Sequence, residues 1–128
     1  MSEMLGGRYL VGEVWGLRGP GNVYRARDLR TNEPVAILFS RLPDSDEADG
    51  WRSRWQRISQ LTGEHAVRLL DVGISDTRVP YVVLEFLQGT TLDILLVRFG
   101  ALPIDQAVDF LLQACDALAE AHSIGILH

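Results

Sequence analysis

The fold is decided by residues 9–39, whose sequence is YLVGEVWGLRGPGNVYRARDLRTNEPVAILF. Side chains alternate between the two faces of a strand from Tyr9 to Val14, and the glycines and proline between residues 16 and 21 then force a turn. A return strand over residues 22–27 and a second polar turn lead into an apolar strand, Val35 to Phe39. The pattern predicts three antiparallel strands joined by short turns.

One helix and two further strands complete the predicted sheet. Residues 43–46, Pro-Asp-Ser-Asp, are helix-start residues, and the apolar side chains that follow recur at helical spacing as far as Leu61. Two apolar runs, residues 67–72 and 81–85, come next and are joined by a polar turn. The sequence therefore predicts a fold of the α+β class, with five antiparallel strands and one helix.

Helical patterns continue from residue 91 onward. Residues 92–96 predict a short amphipathic helix that ends near Gly100, and Pro103 introduces a longer helix that ends near His122. Apolar side chains recur along this longer helix at spacings of three and four: Ile104, Val108, Leu111, Leu112, Cys115, Leu118 and Ala119. We expect Cys115, on this apolar side, to be buried by packing and not to be a reactive thiol.

Length and composition exclude several classes of protein. With 128 residues, of which 47% are hydrophobic, the chain can form one modest core. A net charge of −5 argues against nucleic acid or an anionic membrane surface as a partner. A single cysteine excludes an internal disulfide and fits a reducing, cytoplasmic compartment. Since no apolar run reaches about 18 residues, we expect no membrane span within this segment.

Three stretches carry a family resemblance: Glu64 to Gly73, Pro80 to Leu92, and Ala114 to His128. In these stretches the chain resembles the bacterial serine/threonine protein kinases of the eukaryotic-like family. The resemblance extends over nearly the whole chain. The resemblance implies a kinase-like N-terminal lobe over residues 1–85, in which five antiparallel strands are joined by helix C. It implies a hinge over residues 86–90 and the start of the C-terminal lobe over residues 91–128.

The chain departs from the family where the phosphates of ATP would be held. It contains no lysine, and Leu38 stands where the family has the lysine that grips the α- and β-phosphates. Arg54 matches the glutamate of helix C that would pair with that lysine. Because a buried charge without its partner is costly, loss of one partner removes the reason to keep the other. The doubled change favours a pseudokinase pocket, although Arg54 alone is also compatible with a solvated surface arginine.

The glycine-rich loop of the family is matched in part. Gly16, Gly19 and Gly21 correspond to this loop, but Arg18 replaces the second family glycine. Glycine lets the backbone approach phosphates closely. The run from Gly19 to Gly21 is compatible with both a phosphate lid and a simple tight turn, and Arg18 is an alternative phosphate contact.

Residues that would contact adenine are better preserved. By resemblance, Val23 and Ala36 sandwich the adenine ring, Leu84 is the gatekeeper, and the backbones of Glu85 and Leu87 provide the hinge hydrogen bonds. These contacts depend on shape and backbone more than on charge. Adenine binding therefore remains possible. Because Leu38, Arg54 and the absence of metal ligands remove the phosphate anchors, we expect no cofactor, and ATP with magnesium to bind weakly or not at all.

The sequence predicts no catalytic or metal site in residues 1–128. In the family a histidine like His128 is followed by the Arg-Asp pair that opens the catalytic loop, so the base and the metal ligands would lie after it. Two functions remain open: an inactive regulatory or protein-binding pseudokinase, or the N-terminal part of a Ser/Thr kinase in which Arg18 or Arg41 replaces the lysine. In either case residues 1–128 alone are expected to be inactive.

The long helix predicts an interaction surface. In a kinase its apolar stripe is covered by the rest of the C-terminal lobe, and an uncovered stripe of this length exceeds what soluble monomers usually expose. We expect self-association, or binding of a protein partner, through the helix from Ile104 to His122.

Overall fold

A computed structural model describes residues 3–18, 21–39 and 48–126 of the chain. The described strands are β1 (Glu3–Leu5), β2 (Tyr9–Arg18), β3 (Gly21–Asp28), β4 (Glu33–Phe39), β5 (Leu69–Ile74) and β6 (Pro80–Glu85). The described helices are α1 (Ala48–Ile58), α2 (Leu92–Phe99) and α3 (Ile104–Ser123). The strands form an antiparallel sheet in the order β1-β2-β3-β4-β6-β5, so the α+β fold class is confirmed. No helix in the described ranges is long and apolar enough to cross a membrane.

The chain divides into two compact units. One contains residues 1–60 and 67–86, and therefore the whole described sheet with α1. The other contains residues 61–66 and 87–128, and therefore α2 and α3.

The prediction of five strands missed β1, because three residues are too few for an alternating pattern. Gly6 and Gly7 have φ values of 55° and 64°, a left-handed conformation that glycine adopts without strain. The resulting turn brings Glu3–Leu5 alongside Tyr9–Val11, and the side chain of Leu5 enters the core. The described sheet therefore has six strands.

The main core lies on one face of the sheet. Its buried members are Leu5, Tyr9, Val11, Ala26, Val35, Ile37, Tyr81 and Val83. Phe39 packs at its margin, with edge contacts to the rings of Tyr24 and Tyr81 at centroid distances of 5.5 and 6.4 Å. Tyr9 is buried, yet its hydroxyl donates a 2.8 Å hydrogen bond to Oδ2 of Asp71, which ties β2 to β5.

Helix α1 ends earlier than the sequence predicts. Its predicted start at residues 43–46 lies outside the described residues, and its described part ends at Ile58 and not at Leu61. Leu61 instead begins the loop 61–66, which belongs to the second unit.

Glu120 holds that loop against α3. Its Oε1 accepts hydrogen bonds from the backbone N–H groups of Thr62 at 2.6 Å and Gly63 at 3.3 Å. Two backbone donors of an irregular loop are thereby satisfied by one carboxylate, which is why these residues associate with α3.

The apolar stripe of α3 is largely exposed in the described part of the chain. Ile104 is 84% exposed, Leu111 65% and Leu112 60%. Cys115 is also exposed, so the prediction of a buried cysteine is wrong for this structure. The spacing of the stripe correctly predicted a helix, but spacing alone does not show what covers it.

Candidate functional site

Of the residues matched to the glycine-rich loop, Gly16 and Arg18 lie in β2 and Gly21 begins β3. Gly16 pairs with Val23, and Arg18 pairs with Gly21 across the hairpin. The register shifts twice, between Val11 and Val14 and again before Gly16, as at β-bulges. Gly19 lies outside the described residues. A phosphate-contacting role for Gly16, Arg18, Gly19 and Gly21 therefore stays a prediction.

The strand register places Leu38 in an apolar row on the second face of the sheet. Directly paired residues of an antiparallel sheet share a face. Leu38 pairs with Val23 on one side and Val82 on the other, and Val82 pairs in turn with Val72. The row Val23, Leu38, Val82 and Val72 therefore crosses four strands without a polar side chain.

The neighbouring row on this face contains the other predicted adenine contacts. Ala36 pairs with Leu84 on β6 and with Arg25 on β3, and Leu84 pairs with Leu69. Ala36 is buried, whereas Leu84 is partly buried. The structure therefore brings Val23, Ala36, Leu38 and Leu84 together on one face of the sheet.

Arg25 adds a cation to this face that the sequence analysis missed. Its guanidinium carbon lies 5.0 Å from the centre of the Phe86 ring, a cation–π distance. The two residues are far apart in sequence, so no local pattern indicated this contact. Only the pairing of β3 with β4 and of β4 with β6 brings Arg25 to the strand that leads into Phe86.

Leu38 belongs to a second, smaller hydrophobic cluster. The buried members of this cluster are Leu69 and Val82. Leu38, Trp55, Val72 and Leu84 are partly buried and pack against them. Trp55 comes from α1, so helix and sheet meet in the cluster that includes the lysine-replacing leucine.

Arg54 is the neighbouring residue on α1. It is exposed and has no ion pair or hydrogen bond within the described ranges of the chain. One residue along a helix turns the side chain by about 100°, which explains why Trp55 is half-buried while Arg54 is solvated. The interpretation of Arg54 as a surface arginine fits this geometry.

At the end of β6, Glu85 is held by reciprocal hydrogen bonds. Its N–H donates to the carbonyl oxygen of Arg68 at 3.0 Å, and its Oε1 accepts from the N–H of Arg68 at 2.9 Å. This double contact fixes the strand at the start of the predicted hinge. Leu87, the other predicted hinge residue, belongs to the second unit and is 53% exposed.

A cavity of about 280 Å³ lies between α1 and β5. It is lined by Arg52, Gln56, Ser59, Leu69, Leu70, Asp71 and Val72. None of these is a predicted site residue. Arg52 and Gln56 lie on α1 at i and i+4, and therefore on one side of the helix, and Ser59 follows directly after the helix. The cavity therefore follows from the packing of α1 on β5, and it shares only Leu69 and Val72 with the two rows of the face that carries Leu38.

Perturbed ionisable groups also lie away from that face. A hydrogen bond from Arg8 lowers the pKa of Asp28, and burial raises the pKa of Tyr9 and of Tyr81. All three are in or beside the main core. No group of three or more His, Cys, Asp or Glu side chains in the described ranges could hold a metal ion.

The fold and this face define a protein-kinase-like N-terminal lobe, followed by two helices. No protein-family model matches the chain. Serine/threonine-protein kinase PknB from Mycobacterium leprae is 31% identical over 130 residues, which cover 97% of this chain and 21% of the relative. A probable serine/threonine-protein kinase from Clostridium perfringens, CPE1738, is 32% identical over 131 residues, covering 100% of this chain and 19% of the relative. PknL from Mycobacterium tuberculosis is 32% identical over 130 residues, covering 99% of this chain and 32% of the relative.

Over nearly its whole length the chain is therefore homologous to bacterial serine/threonine protein kinases. It spans between about a fifth and a third of the length of these relatives.

Proposed function

We propose that this chain is the kinase-like part of a pseudokinase module, a regulatory or protein-binding domain in signalling that does not transfer phosphate. One observation carries the proposal. Leu38 lies in an apolar row of four strands, at the position where an active kinase needs a lysine.

Phosphate binding is disfavoured because the described residues of this face offer no free positive charge near Leu38. ATP with magnesium presents concentrated charge, which kinases balance with the lysine and with metal-binding carboxylates. The row around Leu38 supplies no charge at all. Arg25, the cation of the neighbouring row, is engaged with the ring of Phe86. We infer that ATP and magnesium bind weakly or not at all and that no cofactor is required.

Binding of the adenine base is less affected than binding of the phosphates. Val23, Ala36 and Leu84 share a face and supply apolar surface suited to a flat ring. An uncharged ligand such as adenosine would use this surface without needing a phosphate anchor. The proposal therefore predicts that any nucleotide affinity comes from the base.

A thermal-shift titration of the full chain tests this proposal, because a ligand that binds only the folded state raises the melting temperature. ATP with magnesium, ATP with chelator and adenosine are compared at equal concentration. We expect no magnesium-dependent stabilisation, and no larger shift with ATP than with adenosine. A magnesium-dependent shift of several degrees at sub-millimolar ATP would overturn the proposal.

The alternative function is the N-terminal part of an active kinase. It is favoured by the names of the relatives, which are described as serine/threonine protein kinases. In that case Arg18 or Arg41 would replace the lysine. Phosphotransfer by a protein that joins this segment to a complete catalytic loop would favour this alternative.

We further propose that the module acts through the exposed face of α3. Ile104, Leu111 and Leu112 expose most of their apolar surface, and surfaces of this kind usually mark association sites. The occupant is a second copy or a protein partner, and the acidic chain makes nucleic acid an unsuitable one. An unpaired, exposed Cys115 is consistent with a reducing, cytoplasmic location.

A further inference from the structure

Apolar packing connects α1 to the sheet in the described part of the chain. Trp55 packs against Leu69 of β5 and Val82 of β6. Ile58, one turn further along, is also partly buried. These two side chains lie three residues apart and therefore on the same side of the helix, which faces the sheet.

Leu38 packs against the same two residues, Leu69 and Val82. In an active protein kinase the lysine at this strand position pairs with a glutamate of the helix, and the pair must be in place for phosphoryl transfer. Here the helix residue that matches the glutamate, Arg54, is exposed. The helix and the lysine-bearing strand are still connected, but by Trp55 and Leu38 through a shared apolar cluster.

The two kinds of connection respond differently to ligand. An ion pair between helix and strand is coupled to the phosphates, because the lysine binds both the glutamate and the nucleotide. An apolar cluster gains its stability from removing surface from water and needs no ligand charge. A helix held in this second way has no means of sensing phosphate through its strand contact.

We propose that Trp55 is the positioning residue of α1, and that its packing on the Leu38, Leu69 and Val82 cluster docks the helix independently of nucleotide. The helix then presents one constant surface. The docking of α1 on the sheet does not depend on whether the module is inactive. It concerns the position of the helix without ligand, which is measured without a phosphotransfer assay.

Hydrogen exchange by mass spectrometry on the full chain tests the proposal. Amides of residues 52–58 are followed in the parent protein and in the variants Trp55→Ala, Trp55→Phe and Arg54→Ala, each with and without ATP and magnesium. Amides of β3 and β4 serve as the internal reference, because local opening of a helix leaves the sheet protected. Arg54→Ala is the matched control, since it changes the neighbouring, exposed residue on the same helix.

We expect Trp55→Ala to speed exchange in α1 at least roughly tenfold while β3 and β4 stay protected, because truncation removes the packing of the helix. Trp55→Phe should restore most of the protection, and Arg54→Ala should change little. Nucleotide should leave α1 unchanged in the parent protein. Loosening of α1 by Arg54→Ala, nucleotide-dependent protection of α1, or unchanged exchange in Trp55→Ala would each overturn the proposal. If Trp55→Ala unfolds the whole chain, the decision rests on Trp55→Phe, Arg54→Ala and the nucleotide comparison.

Discussion

Arg8 and Asp28 form a two-point ion pair that closes one end of the sheet. Nε of Arg8 donates to Oδ1 of Asp28 at 2.9 Å, and Nη2 donates to Oδ2 at 2.7 Å. Asp28 is buried as a residue, and its Oδ1 also accepts the N–H of Arg30 at 3.0 Å. The pair joins the turn after β1 to the end of β3, which are 20 residues apart in sequence. Such paired geometry is characteristic of strong arginine–carboxylate contacts.

The first prediction concerns acid stability. The hydrogen bond from Arg8 lowers the pKa of Asp28, so the folded state holds this carboxylate charged where the unfolded chain binds a proton. The resulting stability is complete above the unfolded-state pKa of about 3.9 and is lost as the pH falls below it. Asp28→Asn should therefore unfold at lower urea concentration at pH 7 and show a smaller loss between pH 5 and pH 2. Glu33→Gln, an exposed carboxylate on the adjacent strand, is the control and should behave like the parent protein. Equal acid sensitivity of the parent and Asp28→Asn would contradict the prediction.

The second prediction concerns restoration of the kinase ion pair. Leu38→Lys should lower the melting temperature, because it introduces a charge into an apolar row. Adding Arg54→Glu should not rescue stability, since Arg54 is exposed to solvent and has no ion pair among the described residues. In a double-mutant cycle we expect a coupling energy below about 0.5 kcal/mol, the value for independent sites. Coupling well above this value would show that the pair can form.

The same double variant should not transfer phosphate. Restoring an ion pair positions phosphates but supplies neither a base for the attacking hydroxyl nor metal ligands. We expect no radiolabel from γ-labelled ATP in the purified chain or in a generic protein substrate. An active bacterial Ser/Thr kinase provides the positive control. Incorporation above background by residues 1–128 would contradict this expectation.

The third prediction concerns the exposed face of α3. Leu111→Glu with Leu112→Glu should convert an associated chain into a monomer without unfolding it, because both side chains are mostly exposed within the unit described here. Light scattering and circular dichroism measure the two properties. Gln106→Glu, at an exposed polar position of the same helix, is the control for added negative charge. A well-folded parent monomer at high micromolar concentration would rule out self-association through this face.

The fourth prediction concerns the loop held by Glu120. A Cβ at Gly63 would lie 2.5 Å from Oε2 of Glu120, so Gly63→Ala must displace the carboxylate that binds Thr62 and Gly63. We expect a loss of up to about 2 kcal/mol, within the range for a hydrogen bond to a charged group. In a Glu120→Ala background the same substitution should cost much less, because its steric conflict and the hydrogen bonds are already gone. Equal losses of unfolding free energy in the two backgrounds would argue against this contact.

Local sequence was sufficient to predict most elements of the fold. The alternation from Tyr9 to Val14, the glycine turn and the apolar run at Val35 depend on neighbours two residues apart, so they predicted strands directly. The i, i+3 and i+4 spacing after Pro103 predicted α3 for the same reason. Strand β1 was missed because its pairing depends on two left-handed glycines and not on a pattern of its own.

The sequence by itself determined which chemical groups are absent: a chain without lysine cannot present the phosphate-gripping amine of the kinase family. It also determined the resemblance to bacterial serine/threonine protein kinases, since the matching motifs are contiguous stretches. Only the tertiary structure decided what replaces the ion pair, because the contacts of Leu38, Trp55 and Val82 join residues from separate elements. Only the tertiary structure shows that Cys115 is exposed and that Arg25 contacts the ring of Phe86. The physical reason is that periodicity specifies which side of an element a residue lies on, whereas sheet register and helix packing specify what it meets.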